Sequence, residues 1–287
     1  MTLLDALDTR PTTKPNRTTG KKAPARPSTP RDSFEPGRQI AKILDRERGH
    51  HSSRDLFYGY LSLRCANFRL EGDHYLPKDE RYTLRSHTER DAHRLRAHTL
   101  AFEEIDTILH DSVNAYPCDP LGVAYAELGL TSQKMGQCFT PPEVASMMTM
   151  MTLGGHDDIA KMIALARSER RRVAVSDPCA GGGVMMLATM HHIRSLGFEP
   201  IITFEMHLQD IDRACCQMSY IQACFAYAPV VVIWGDTIAM EQKEHWATPW
   251  YDPASLARVP RDAPIRRTRE SDPAFALLAA LGALLEA

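Results

Sequence analysis

Carboxylates stand where three apolar strands are expected to end, and the first of these strands leads into a glycine-rich turn. The run Val173-Ala-Val-Ser-Asp177 continues through Pro178 into Gly181-Gly-Gly183. β-Branched residues suit a buried parallel strand, and consecutive glycines let the backbone approach a ligand too closely for any side chain. An acid at such a strand end favours a ligand of nucleotide size that carries positive charge.

The glycine turn does not match the dinucleotide-binding fingerprint G-x-G-x-x-G, because Gly183 is followed by Val184-Met-Met186. The three glycines could also serve only to tighten a strand-to-helix turn. Three further segments favour a ligand site, since one precedes the first strand and two place acids where later strands end. They are residues 136–143 (Gly-Gln-Cys-Phe-Thr-Pro-Pro-Glu), 209–212 (Gln-Asp-Ile-Asp) and 234–237 (Trp-Gly-Asp-Thr).

In order and spacing, these four segments resemble the S-adenosylmethionine-binding motifs of N6-adenine DNA methyltransferases. The closest likeness is to the methylase domain of type I modification subunits and to related plasmid- and phage-borne methylases. The resemblance extends over roughly residues 54–250, loosely in its first part. The combined order is specific, whereas each motif alone is not.

The resemblance implies a role for each motif in holding S-adenosylmethionine. Asp177 would hold the methionine end, Asp210 would accept bonds from the ribose hydroxyls, and Asp236 would accept from the exocyclic amine. Ile211 would pack on the adenine, and the segment before the first strand would close over the methionine part. The residues implied to bind the cofactor are Phe139, Thr140, Pro141, Asp177, Pro178, Ala180, Gly181, Gly183, Asp210, Ile211 and Asp236.

Some acids and prolines in these motifs also have ordinary structural roles. Asp212 is expected to be the N-cap of a helix that starts at Arg213, and we leave it out of the site. Asp236 could equally be a turn residue, because Gly-Asp is common after a strand. Pro141-Pro142-Glu143 is a good helix start, which is compatible with a place beside the cofactor.

The resembled enzymes carry a catalytic tetrapeptide of Asn or Asp, two prolines and an aromatic residue. Its side-chain oxygen and a backbone carbonyl accept the amine protons, while the aromatic ring stacks on the flipped base. This chain has no such tetrapeptide. The nearest candidates are Pro249, Trp250 and Tyr251, whose rings could stack on a base or equally anchor the C-terminal segment. The catalytic residues therefore stay unassigned.

The resemblance implies an α/β fold with a Rossmann-like methyltransferase core behind a helical region. About three parallel strands are recognisable, whereas a full sheet of this kind needs about four more after the third. Residues 237–287 contain no convincing β-branched run. We therefore expect a truncated core in which the first strand, normally central, has an unpaired edge that the final helix or a partner covers.

Hydrophobic periodicity predicts the elements and their division into domains. Helices are expected over 39–48, 55–68, 89–114, 121–128, 143–152, 158–169, 184–196 and 213–227, a loop over 72–85, and strands over 172–176, 201–208 and 230–234. The predicted domains are a disordered basic tail (1–36), a helical region (37–130), the S-adenosylmethionine-binding core (131–250), and a Pro/Arg-rich segment with a C-terminal helix (251–287). Core positions are expected for Phe57, Tyr58, Tyr60, Met147, Met148, Met150 and Met151.

Composition narrows the class of protein. The 287 residues are 44% hydrophobic and carry a formal net charge of -2, so the chain has no overall attraction to nucleic acid. Seven scattered cysteines without a C-x-x-C pair predict reduced thiols and no metal site. No signal peptide or membrane span is expected, which favours a cytoplasmic protein without a membrane partner.

Local charge is less even than the total. Seven basic residues and no acid lie between Thr9 and Arg31, and a second cluster precedes the last helix: Arg258, Arg261, Arg266, Arg267 and Arg269. Such segments can neutralise phosphates without reading sequence, although they can equally serve only to keep the chain soluble.

Three functions are compatible with these patterns. The first is an adenine-N6-specific DNA methyltransferase of a restriction-modification type, with duplex DNA as substrate and a specificity or partner subunit as a possible companion. The second is a catalytically degenerate, DNA-associated regulatory or decoy protein of a mobile element that keeps the cofactor site. The third, a small-molecule enzyme, is disfavoured by the helical region and by the Phe139-Thr-Pro-Pro142 segment.

Overall fold

A four-stranded sheet organises the computed structural model, which describes residues 32–47, 49–72, 78–132 and 136–251. The described residues from Ser33 onward belong to one compact unit. Most of the basic tail predicted for 1–36 lies outside the described residues. So do the arginine-rich segment and the C-terminal helix predicted after Tyr251.

The elements alternate in the order that the sequence predicts for the core. The helices are α1 Glu35–Arg46, α2 Ser53–Gly72, α3 Lys78–Arg94, α4 Thr99–Ala115, α5 Pro120–Glu127, α6 Pro142–Leu153, α7 His156–Ser168, α8 Val184–Ser195, α9 Pro200–Thr203 and α10 Arg213–Phe225. The strands are β1 Val173–Asp177, β2 Phe204–Asp210, β3 Val230–Trp234 and β4 Glu244–Ala247. A 3-10 turn at Arg96–His98 separates α3 from α4.

The strand order is β1-β2-β3-β4, with the first three strands parallel and β4 antiparallel to β3. This is a mixed α/β fold in which α8 and α10 connect the parallel strands. The sequence did not predict β4, because Glu244-His-Trp-Ala247 has no β-branched residue. The strand forms through pairing with β3, and Trp246 on it is fully buried.

β1 lies at an edge of this sheet, since β2 is its only partner among the described residues. The expectation of an unpaired first strand is therefore confirmed for the described part of the chain. One face of the sheet packs into the core through residues such as Phe204, Met206 and Val232. On the other face Ala174 and Ser176 of β1 are exposed. No helix of the described residues covers Ala174 and Ser176 on this second face.

The helical region before the core is extensive and well packed. Phe57 and Tyr60 on α2 are fully buried, as predicted, whereas Tyr58 is only partly buried. Tyr60 donates a hydrogen bond of 2.8 Å to Asp106 on α4, and Arg64 on α2 pairs with the same carboxylate at 2.6 Å. These contacts join α2 and α4.

Two sequence-based expectations for this region are wrong. The loop predicted over 72–85 is helical from Lys78 onward, and the helix predicted over 89–114 is broken near Leu95. Helix α3 buries none of its side chains, so it has no apolar stripe for periodicity to detect. The break has a packing reason, because buried Leu95 fits against Gly59 of α2, where a side chain would collide with it.

The methionines of α6 also differ from expectation. They were expected in the core, yet Met147, Met148, Met150 and Met151 are 53%, 46%, 55% and 78% exposed. Helix α6 instead buries the side that carries Ala145, Thr149 and Leu153, which lie about one turn apart, and this helix packs on α8. The outer side of α6 is therefore an apolar surface. Within the described residues every helix is too short or too polar to cross a lipid bilayer.

Candidate cofactor-binding site

The carboxyl ends of β1, β2 and β3 meet at one edge of the sheet. Asp177 pairs in register with Leu208, two residues before Asp210, and Asp210 pairs with Trp234. The loops beyond the strands are also joined. The Gly235 N–H donates to the Asp210 carbonyl at 3.0 Å, and the Thr237 hydroxyl donates to the Pro178 carbonyl at 2.7 Å. The loop after β3 thus reaches the turn after β1.

The glycine turn is hydrogen-bonded to the end of β2. The Ala180 N–H donates to the Gln209 carbonyl at 3.0 Å, and the Gly181 N–H donates to the Asp210 carboxylate at 2.9 Å. Gly181 and Gly183 have φ values of +54° and +97°, a region that favours glycine over other residues. Gly183 is the N-cap of α8. The glycines are therefore required by backbone conformation as well as by space.

Asp177 and Asp210 form a pair of half-buried carboxylates beside this turn. Burial raises the pKa of Asp177, and burial is also the main cause that raises the pKa of Asp210. The negative charge of Asp212 raises the pKa of Asp210 further, and the negative charge of Asp177 adds a smaller contribution. Backbone N–H groups are their hydrogen-bond donors, and no basic side chain of the described region forms an ion pair with either.

Asp236, after β3, uses its carboxylate in its own turn. Its Oδ1 atom accepts hydrogen bonds from the N–H groups of Ile238 at 2.9 Å and Ala239 at 3.0 Å. The turn interpretation of Asp236 is therefore realised in the structure. Its backbone still lies at the same sheet edge as Asp210, because Gly235 is bonded to that strand end.

The segment before α6 lies against the glycine turn. The Phe139 ring is 3.4 Å from the position that a Cβ atom on Gly181 would take, and it makes an edge-to-face contact with Tyr125 at 5.9 Å between centroids. Thr140 is half-buried and Pro141 is the N-cap of α6. Of the three residues that the sequence assigned to this segment, Phe139 therefore lies against the turn, and Thr140 and Pro141 connect it to α6.

Asp212 is the N-cap of α10, as predicted, and accepts from the Ala214 N–H at 2.9 Å. It also binds the segment before α6, because the Gln137 side chain donates to its second oxygen at 2.6 Å. Ile211, between the two aspartates, is 50% exposed. An apolar side chain open to solvent at this edge is available to pack against a flat ring.

Most of this arrangement lies in a part of the chain that matches a known protein family. Residues 124–253 match the model described as N-6 DNA methylase, a stretch that begins within α5 and includes all four strands. This part of the chain is therefore similar to the N-6 DNA methylase family. No curated protein and no solved structure matches the chain.

The weak catalytic candidates lie at the other end of the methylase domain's sheet. β4 runs antiparallel to β3, and Thr248, just after β4, exchanges hydrogen bonds with Val230 at the start of β3. Trp250 donates to the Cys224 carbonyl at 3.2 Å and packs edge-to-face on Tyr227.

The amino ends of the strands therefore hold Pro249 and Trp250, away from the carboxyl ends where Asp177 and Asp210 lie. Tyr251 contacts His207 in the middle of β2, with 6.1 Å between ring centroids. This placement agrees with the alternative that these residues anchor the chain that follows, and their role in stacking on a base stays a prediction.

Sequence reasoning missed several residues that hold the methylase site together. Thr237 and Gln137 bind the loops to one another, and Asp119 and Gln222 contact the glycine turn from outside the recognised motifs. A local signal existed only for Asp119, which precedes Pro120 and caps α5. Nothing in the sequence connects it to a turn more than sixty residues away.

A separate cavity of about 410 Å³ lies between α2, α3 and β4. Its lining residues are Arg69, Asp79, Glu80, Thr83, Leu84 and Glu244. Arg69 forms an ion pair of 3.6 Å with Glu244, so its charge is partly satisfied within the lining. The cavity lacks glycine-lined backbone and strand-end carboxylates, and we do not connect it with the methylase site. The described residues contain no cluster of side chains suited to a metal ion.

Proposed function

We propose that this chain is an S-adenosylmethionine-dependent DNA methyltransferase specific for the N6 position of adenine. The observation that carries the proposal is the presence of two half-buried carboxylates, Asp177 and Asp210, beside a glycine turn, neither of which forms an ion pair with a basic side chain of the described residues. The family match of residues 124–253 supplies the reaction class. The negative charge of the two acids would attract a cationic ligand bound here.

The residues present fit S-adenosylmethionine. Its amino-acid end would lie against Asp177 and the glycine turn, its ribose against Asp210, and its adenine against the exposed side chain of Ile211. When bound, this cofactor supplies a methyl group activated by the neighbouring sulfonium. The protein's own contribution is to orient the ligand with fixed backbone groups and to hold negative charge beside it.

Adenine in DNA is the proposed acceptor, and this part of the proposal rests on the family match. The sequence has no Asn/Asp-Pro-Pro-aromatic motif to hold the exocyclic amine. This absence favours a second candidate function, a cofactor-binding, DNA-associated regulatory protein without methyl transfer. A specificity subunit or another partner polypeptide is a further part of the proposal, because either could complete the base-binding half.

Cofactor binding is tested by calorimetry with S-adenosylmethionine. Asp177→Asn and Asp210→Asn remove one negative charge each while keeping an acceptor oxygen, and each is expected to weaken binding about tenfold or more. Asp157→Asn is the matched control, because this substitution removes the same charge at a position on α7 where the side chain is 92% exposed. Equal affinity of all four proteins would remove Asp177 and Asp210 from the site, and no binding by the wild type would end the proposal.

Methyl transfer is tested with labelled cofactor and adenine-containing duplex DNA. If the wild type incorporates labelled methyl groups into the DNA and Asp210→Asn does not, the result supports the proposed methyltransferase activity. Cofactor binding without incorporation, at enzyme concentrations equal to the DNA, supports the non-catalytic candidate instead. Digestion of the product to nucleosides identifies the methylated atom.

A further inference from the structure

We propose that Asp119 and Gln222 are positioning residues that hold the glycine turn in the shape that binds the cofactor. Neither belongs to the motifs recognised in the sequence, and Asp119 lies before the stretch that matches the family model. The inference rests on the proposed function, because its readout is cofactor affinity. It assigns to the helical region a direct part in building the site.

Gln222 on α10 connects the turn to the helical region. Its side-chain amide donates to the Gly182 carbonyl at 2.6 Å and to Oδ1 of Asp119 at 2.8 Å. Its side-chain oxygen accepts from the Leu121 N–H at 3.1 Å. All three groups of the amide are therefore used, and Gln222 is fully buried. The same helix face presents Ser219, whose Cβ would lie 3.1 Å from a Cβ on Gly183.

The Asp119 carboxylate lies between two glycine backbones. It caps α5 by accepting from the Gly122 N–H at 2.9 Å. A Cβ atom on Gly122 would overlap this carboxylate, and a Cβ on Gly182 would lie 2.5 Å from Oδ2 and 2.6 Å from Oδ1. The carboxylate thus fills the space that a side chain at position 182 would need. It fixes how closely the turn approaches α5.

The second oxygen of Asp119 is the unusual feature of this contact. Asp119 is only 2% exposed, and its Oδ2 atom has no hydrogen-bond partner in the described structure. A buried polar atom without a partner destabilises a fold, so a cap alone does not account for it. Oδ1 of Asp119 accepts hydrogen bonds from both the Gly122 N–H and the Gln222 amide. The flat carboxylate is also thin enough to lie between Gly122 and Gly182. Asp119 thereby holds the turn at Gly182, next to the Gly181 N–H that Asp210 binds.

Single substitutions test whether the turn depends on this contact. Asp119→Ala removes one of the three hydrogen bonds that fix the amide of Gln222 and empties the space beside Gly182, and it is expected to weaken S-adenosylmethionine binding about tenfold. Asp119→Asn keeps an acceptor oxygen and is expected to restore most of the affinity. Gln222→Glu removes the donor to Gly182 and is expected to weaken binding by at least as much as Asp119→Ala.

A double variant separates positioning from folding. In Asp119→Asn with Gln222→Glu, the new amide can donate to the new carboxylate, while the Gly182 carbonyl still lacks its donor. The melting temperature is expected to recover relative to Gln222→Glu alone, whereas the cofactor affinity stays low. Tyr60→Phe is the control for stability, because it removes a buried hydrogen bond between α2 and α4. It is expected to lower the melting temperature without changing the affinity.

The outcomes distinguish this inference from the proposed function. A wild type that does not bind S-adenosylmethionine overturns the proposed function and the inference that rests on it. A wild type that binds, together with folded Asp119→Ala and double variants of equal affinity, overturns the inference alone. If Asp119→Ala does not fold, as judged by circular dichroism, the double variant decides. An affinity that recovers in step with its melting temperature assigns the pair a merely structural role.

Discussion

The two sides of β1 differ in how completely the chain covers them. On the side towards β2, the strand is paired along its length and its glycine turn is bonded to Gln209, Asp210 and Gln222. On the other side, β1 has no partner strand among the described residues. The described chain therefore closes one flank of the strand and leaves the other open.

The difference shows which part of this sheet edge is fixed. The glycine turn is held by contacts with β2, with α10 and with the Asp119 cap of α5. The described chain places no strand on the other flank of β1. The exposed apolar side of α6 is a second surface that the described residues leave uncovered.

The largest effect on cofactor affinity is expected from crowding the closed flank. In Gly182→Ala the new methyl group would lie 2.5 Å from the Asp119 carboxylate, so the turn or α5 must shift. Overpacking of this kind destabilises proteins by about 1–3 kcal/mol, and we expect cofactor affinity to fall about tenfold or more as well. Chemical denaturation and calorimetry on the same preparation measure the two effects.

Gly49→Ala is the control, because a Cβ atom there meets nothing within 4 Å and the backbone φ is not in the left-handed region. It should be neutral in both measurements. If Gly182→Ala were equally neutral, the turn would not be fixed from the α5 side, and the contrast between the two flanks of β1 would weaken.

Local signals explain what the sequence predicted. The strand β3 was predicted with its observed bounds because five apolar residues run between turn signals, and Asp212 was predicted as a cap because Asp directly precedes a helical pattern. The grouping of Asp177 and Asp210 followed from the rule that parallel strands end at one edge. Each of these inferences needed only a few neighbouring residues.

Contacts between distant segments explain what it missed. Asp119 and Gln222 are 103 positions apart, and the local sequence around each residue does not predict their contact. The α6 methionines were misassigned because residue type indicates burial but does not say which side of a helix faces the core. The buried side is the one with Ala145 and Thr149, whose small side chains allow α6 to approach α8 closely. Packing between elements decided both outcomes.

The titration of Asp119 tests the closed flank of β1 through the pH dependence of protein stability. Burial raises the pKa of Asp119, so the folded protein holds this proton more tightly than the unfolded chain. The contribution of Asp119 to stability is therefore greatest below its unfolded pKa of about 4 and is lost as pH rises towards the folded value. Asp119→Asn lacks this titration, so wild-type stability should fall relative to the variant as pH rises from 3.

Urea denaturation of both proteins at several pH values measures this difference. A stability difference that stays constant from pH 3 to pH 7 would show that the carboxyl titrates alike in the folded and unfolded states. The closed flank would then not be as dry as the position of Asp119 between Gly122 and Gly182 indicates.

The amino ends of the strands provide a smaller test. Trp250→Phe removes the hydrogen bond to the Cys224 carbonyl and should destabilise the fold by about 1 kcal/mol. Cofactor affinity and methyl transfer should be unchanged, because Trp250 lies at the end of the sheet opposite to Asp177. A loss of methyl transfer at unchanged stability would support a role of Trp250 in stacking on the base.

The smallest effect is expected on the exposed side of α6. Met147→Ala and Met151→Ala remove side chains that are 53% and 78% exposed, and each should change the free energy of unfolding by no more than about 0.5 kcal/mol. Met190→Ala, at a fully buried position of α8, should cost about 2–5 kcal/mol in the same urea titration. A cost of that size at Met151 would mean that α6 is covered in solution. In that case a dependence of the midpoint on protein concentration would identify a second copy as the cover, and a constant midpoint would identify a segment of the same chain.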